Sequence, residues 1–125
     1  MLESAKSFFA LGLGAIAGTW LRIFVIGKLN QYRFFKYKSV FIVNNISAFL
    51  LGSYFSLTNK LEVNNLYLFC VIGLLGSFSS FSSFIFDLYS LWSRKQIKEF
   101  CFLFIGSFLI GCASLLLGFK LFKVH

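Results

Sequence analysis

Residues 73–84 read Gly73-Leu74-Leu75-Gly76-Ser77-Phe78-Ser79-Ser80-Phe81-Ser82-Ser83-Phe84, inside an uncharged stretch long enough to cross a bilayer. These twelve residues hold five serines, two glycines and three phenylalanines. A span that faces lipid is built from Leu, Ile, Val and Ala. Hydroxyls and a weakened backbone at bilayer depth are tolerated where they are buried in protein or line a cavity. The run is therefore part of a membrane span and the first place to look for function.

The stretch is one of four apolar ones, at roughly 8–26, 40–57, 66–86 and 100–119, uncharged apart from Arg22. Each has about the 17–25 residues that span the hydrocarbon core. Composition agrees: 58% of the 125 residues are hydrophobic, 13% are charged, and the mean hydropathy is +0.83. A soluble domain of this size cannot hide that much apolar surface in one small core. The expectation is an all-α membrane protein, residues 1–125 forming one subunit of four transmembrane helices. The first stretch follows Lys6, but it is long for a signal peptide and Arg22 follows without a cleavage site, so it reads as a retained helix.

Loops are expected at 27–39, 58–65 and 87–99. Net charge is +8, from twelve Lys and Arg against four acids. In a soluble chain this excess points to nucleic acid. Here the bases flank apolar spans, where anionic lipid head groups are the ordinary partner, and no nucleic-acid role is expected. Seven bases (Lys28, Arg33, Lys36, Lys38, Arg94, Lys95, Lys98) fall in the first and third loops, and four (Lys6, Lys60, Lys120, Lys123) on the other side. This bias places the first and third loops in the cytoplasm of a multi-pass cell-membrane protein, with both termini outside.

An enzyme is not expected. The chain has no Ser/His/Asp, Cys/His or paired-carboxylate set. His125 is the only histidine, and Cys70, Cys101 and Cys112 show no CxxC spacing, so no His/Cys metal site is expected. The cysteines read as small buried hydrophobes.

The polar groups at depth narrow the chemistry. Asn44 and Asn45 sit in the first half of the second span, either as interhelical hydrogen-bonding groups or as pore-lining donors. Arg22 lies within the first span, where it snorkels, makes a structural contact or draws anions into a vestibule. Small-residue pairs, Gly14 with Gly18, Ala48 with Gly52 and Ser107 with Gly111, suit close helix approach and a compact bundle with a partner subunit. Phe81 and Phe84, three residues apart, place both rings on one helix face. Asp87 reads as lying at a helix end, so no carboxylate is expected deep in a span. A small dual-topology multidrug or cation exporter, the main competing reading, normally holds its cation and proton on such a carboxylate. Amides, hydroxyls and the positive edges of phenyl rings instead favour a small anion. A non-transporting assembly protein gives no reason for the hydroxyl run.

Three motifs in order resemble the CrcB/Fluc fluoride channel family over nearly the whole chain. The first span carries Gly14-Ala15-Ile16-Ala17-Gly18-Thr19-Trp20-Leu21-Arg22, similar to the family's GGxxGAxxR. The second carries Val43-Asn44, then Ser47-Ala48-Phe49 and Gly52, similar to VNxxGSFxxG. The third carries the opening run, similar to GxxGGxTTFSTF. Ser77 and Ser47 replace glycines, Thr19 an alanine, and Ser79, Ser80 and Ser83 threonines; Val40 falls where a Thr is usual. No tyrosine follows Tyr89, and a Phe in 102–104 stands where the family has a pore tyrosine in its fourth helix.

The resemblance implies a third helix broken near its middle and an antiparallel, dual-topology dimer with two narrow pores. It implies passive, fluoride-selective export from the cytoplasm, which reduces fluoride toxicity. On this resemblance Asn44, Phe81, Ser82, Ser83 and Phe84 line the fluoride pore. The backbone carbonyls of Gly76 and Ser79 hold a structural sodium ion at the dimer centre. The partner is a second copy, or a homologous chain of fixed opposite orientation with one pore degraded. The unequal charge bias is what raises the second arrangement.

Overall fold

The computed structural model describes residues 2–32, 38–58 and 63–123. Arg33, Lys36, Lys60 and His125, named above, lie outside the described residues. Four helical spans carry the fold: α1 (Leu2–Asn30), α2 (Ser39–Thr58), a composite third span (Asn65–Ser93) and α6 (Ile97–Leu121). Each contains an 18-residue window of mean hydropathy between 1.5 and 2.4.

The helices run further than the uncharged stretches. Lys28 lies on α1, Asp87 on the third span and Lys98 and Glu99 on α6, all positions expected in loops. Lys and Glu are good helix formers, so a span continues through them as it leaves the hydrocarbon. Glu99 in the first turn of α6 and Lys120 in its last also complement the helix dipole. The loop expected at 87–99 shrinks to the turn 94–96. There the Gln96 N–H donates to the Leu91 carbonyl at 3.0 Å and the Lys95 N–H to the Trp92 carbonyl at 3.1 Å. These two bonds make a Schellman turn, with Lys95 at φ 58° where glycine is usual.

The third span is built in pieces. Asn64 caps α3 (Asn65–Tyr67), accepting from the Tyr67 N–H at 2.8 Å. A π-helical segment follows (Leu68–Leu75), then one turn of α-helix, α4 (Gly76–Phe78). Ser79 and Ser80 are extended, with ψ 153° and 115°. The helix restarts as α5 (Phe81–Ser93), whose N-cap is Ser80.

Two helix pairs organise the bundle. α1 packs along the π segment, and α2 along α6. Backbone contact requires glycine at Gly14 and Gly18: a Cβ there would collide with the carbonyl oxygens of Phe69 and Leu74. Gly52 and Gly118 do the same service between α2 and α6. Without side chains to fill, helices gain dispersion contact along the backbone, the main attraction available in lipid. Ser107 and Gly111 do not pair in this way, since the nearest atom to a Cβ at Gly111 is the Asn45 Oδ1 at 3.9 Å. α5 joins the α2–α6 pair through Leu88, Leu91 and Leu103, with Phe41, Phe84 and Phe100 packed around them. The outer faces stay apolar and bare: Phe8, Trp20, Phe102 and Phe108 are exposed, as lipid-facing residues are.

Candidate functional site: two recesses joined at an interrupted helix

An extended residue inside a span strands its backbone N–H and C=O, which must find partners. At Ser80 one side chain supplies both. Asn44 Nδ2 donates to the Ser80 carbonyl at 3.2 Å, and the Ser80 N–H donates to Asn44 Oδ1 at 2.9 Å. A primary amide is one of few side chains with a donor and an acceptor side by side. Asn45, the neighbouring amide, turns elsewhere: its Nδ2 donates to the Phe41 carbonyl at 2.7 Å and its Oδ1 accepts from Ser114 at 3.4 Å. Asn45 is therefore a structural group between α2 and α6.

The Ser80 hydroxyl works on the other side of the interruption. It accepts from the Ser83 N–H at 3.2 Å, donates to Ser83 Oγ at 3.0 Å and lies 3.3 Å from Ser82 Oγ. Ser80 thus ties Asn44, Ser82 and Ser83 together.

Two recesses open on either side of this knot. The first, about 460 Å³, is walled by Phe84, Phe104, Ile105 and Phe108, and its polar groups are Asn44 and Ser107. The Ser107 hydroxyl is buried and has no hydrogen-bond partner. One Nδ2–H of Asn44 is spent on Ser80; the second is left for the recess. The second recess, about 430 Å³, is lined by Asn30, Ser39, Ser82, Ser83 and Asp87. Ser39 is buried and donates to Asn30 Oδ1 at 2.9 Å.

The expected pore residues are thus divided. Asn44 and Phe84 share the first recess; Ser82 and Ser83 line the second. Phe81 and Phe84 do lie together, with ring centroids 6.3 Å apart. Yet Phe81 is 75% exposed, while Phe84 is half-buried against the core. Gly76 and Ser79 line neither recess; Gly76 is exposed. Arg22 also lines neither recess. It sits half-buried with eight helical residues beyond it on α1, further from the helix end than the sequence reading placed it.

Three groups escaped the sequence reading. Ser107 looked like a small packing residue, and only its position between Phe104 and Phe108 hinted otherwise. Ser80 was one serine among five. Asp87 reads as a helix end because the uncharged stretch stops at Phe86; in the structure it is half-buried within α5, six residues before the end.

What the first recess offers is donors, and the second adds the Ser82 and Ser83 hydroxyls beside the Asp87 carboxylate. Hydroxyl and amide hydrogens and phenyl edges present positive charge without a full cation to trap an ion. Four apolar spans, one of them interrupted beside polar recesses, define a multi-pass membrane protein. Residues 9–119 match the family described as CrcB-like protein, Camphor Resistance (CrcB), and the chain belongs to that family. It is a family of membrane channels and transporters rather than of enzymes. No curated protein sequence matches the chain.

Proposed function

We propose that the chain is a subunit of a fluoride-selective channel of the bacterial plasma membrane, which lets fluoride leave the cytoplasm down its gradient and so reduces its toxicity. The observation that carries this reading is the first recess. There an orphaned hydroxyl (Ser107), the unspent N–H of Asn44 and the Phe84 ring converge, with no basic residue in the lining among the described residues. Fluoride is small and strongly hydrated, so a pore must replace its water with donors, and those donors must be weak enough to let it go. Ring edges and hydroxyls meet both demands. The hydroxyls of Ser82 and Ser83 extend the donor track into the second recess, across the Ser80 knot.

A second copy of the chain, inserted in the opposite direction, completes the channel. The exposed Phe81 ring and the bare face at Gly76 give it a surface to cover. The interruption also suits the structural sodium. The Gly76 carbonyl accepts only a long contact, 3.5 Å, from Ser79 Oγ, and the extended Ser79 frees its own carbonyl from the helix ladder. Such carbonyls fit a hard cation. The residues that would hold it are Gly76 and Ser79 of both copies, and it would supply only positive charge between the two interruptions.

Expression in a bacterium made hypersensitive to fluoride tests the reading. Growth at a fluoride level that stops the parent strain is the expected result, and failure to grow despite membrane accumulation contradicts it. Growth with this chain alone also excludes an obligate pair of homologous chains.

A further inference from the structure

A π-helix closes its hydrogen bonds from i to i+5, which packs the coil less well than the α pattern, so it persists where surroundings demand it and clusters near functional sites. The π segment here, Leu68–Leu75, stands directly before the interruption. The Gly76 N–H still reaches back five residues to the Val71 carbonyl, whereas the Ser79 N–H reaches back four, to Leu75 at 3.0 Å. The register therefore changes at Gly76.

The segment is held from one side. Gly14 meets the Phe69 carbonyl, Gly18 the Leu74 carbonyl, and Gly73 lies against the Leu11 carbonyl and the Gly14 Cα. Seven residues beyond Gly73, the chain is held from the other side, where Asn44 grips both backbone groups of Ser80. Between a fixed point on α1 and a fixed point on α2, the number of residues per turn decides which way Ser80 faces.

An α turn takes about 3.6 residues, so one residue more or less rotates everything downstream by about 100°. A π turn consumes more residues for the same rotation, and a π segment therefore stores a surplus residue without turning the chain beyond it. We propose that the π segment is the positioning element of the ion site: pinned by Gly14, Gly18 and Gly73, it takes up one surplus residue without turning the chain beyond it, and so keeps the Ser80 backbone facing Asn44. The inference rests on the proposed fluoride conduction only for its flux readout.

The test is a pair of length changes at Ile72, a half-exposed residue of the π segment. Deleting Ile72 removes the surplus, converts the segment to α and leaves Ser80 facing Asn44. Inserting an alanine after Ile72 adds rotation that the segment does not absorb. Hydrogen exchange of peptides covering Ser80 reads the clasp directly. The deletion is expected to exchange at the wild-type rate, and the insertion at least ~10-fold faster. In liposomes the deletion is expected to keep fluoride efflux within about threefold of wild type with chloride still excluded, and the insertion to lose it. A deletion variant that exchanges like the insertion, or that does not fold, overturns the inference. A wild-type chain that shows the exchange pattern but passes no fluoride overturns the functional reading and leaves the positioning role standing.

Discussion

Asn44 and Ser80, on different spans, form a closed two-bond pair in which one side-chain amide replaces the helix that Ser80 has left. Interhelical hydrogen bonds in membranes contribute about 0.6 kcal/mol on average and up to about 1.7. Removing this one leaves two backbone groups without partners at bilayer depth, each costing about 1–3 kcal/mol. Asn44→Ala is therefore expected to lower both thermal stability in detergent and fluoride flux. Asn44→Asp keeps an acceptor for the Ser80 N–H but sets a carboxylate oxygen against the Ser80 carbonyl, and is expected to be as damaging. A thermal melt beside an efflux assay checks both variants; an Asp variant with wild-type stability contradicts the clasp.

Ser107 and Ser56 make a matched pair of controls. Both hydroxyls are buried without partners, but Ser107 lines the first recess and Ser56, 1% exposed, lines none of the recesses described. An unpartnered buried hydroxyl costs about 1–3 kcal/mol, so Ser56→Ala and Ser107→Ala are each expected to raise stability by about 1 kcal/mol. Only Ser107→Ala is expected to slow fluoride efflux, by about tenfold or more, since a hydrogen bond to an ion contributes about 1.5–3 kcal/mol. Equal fluxes in the two variants would remove Ser107 from the ion path.

Asp87 separates a channel from a coupled exporter. It is half-buried inside α5 rather than at a helix end, so the argument against an exporter no longer rests on the want of a carboxylate within a span. In an exporter the carboxylate binds cation and proton in turn, and Asp87→Asn stops transport. In the channel proposed here Asp87 lies beside Ser82 and Ser83 as a negative charge near an anion path. Asp87→Asn is then expected to hold fluoride flux within about threefold of wild type or raise it. Flux lost in the folded variant points to the exporter.

Lys95 at φ 58° carries the cost of a left-handed conformation on a residue with a Cβ. The turn hydrogen bonds are already those of a glycine-ended helix. Lys95→Gly is expected to stabilise the protein by about 1 kcal/mol without changing flux. Destabilisation in a thermal melt would show that the Lys95 side chain matters more than its backbone.

The four spans were legible because hydropathy and length alone decide what a bilayer accepts. Their ends were not, because Lys28, Asp87 and Lys98 stop an apolar count without stopping a helix. Gly14 and Gly18 were legible as a close-contact pair; Ser107 with Gly111 looked the same and packs differently, since spacing gives a shared face but not what that face meets. Asn44 stood out as a buried amide, whereas its partner Ser80 is marked only by the backbone turning extended. Phe81 and Phe84 share a helix face by spacing, yet one ring enters the core and the other faces outward. Side-chain periodicity cannot separate them, because the difference lies in where α2 and α6 end up.

The central claim is that this chain passes fluoride and refuses chloride. The most direct measurement is anion efflux from liposomes containing the purified chain, loaded with potassium fluoride or potassium chloride and started with a potassium ionophore. Rapid fluoride efflux, retained chloride, and loss of the fluoride signal in Phe84→Ile are expected. Fluoride held as tightly as in protein-free liposomes, or chloride released as fast as fluoride, contradicts the claim.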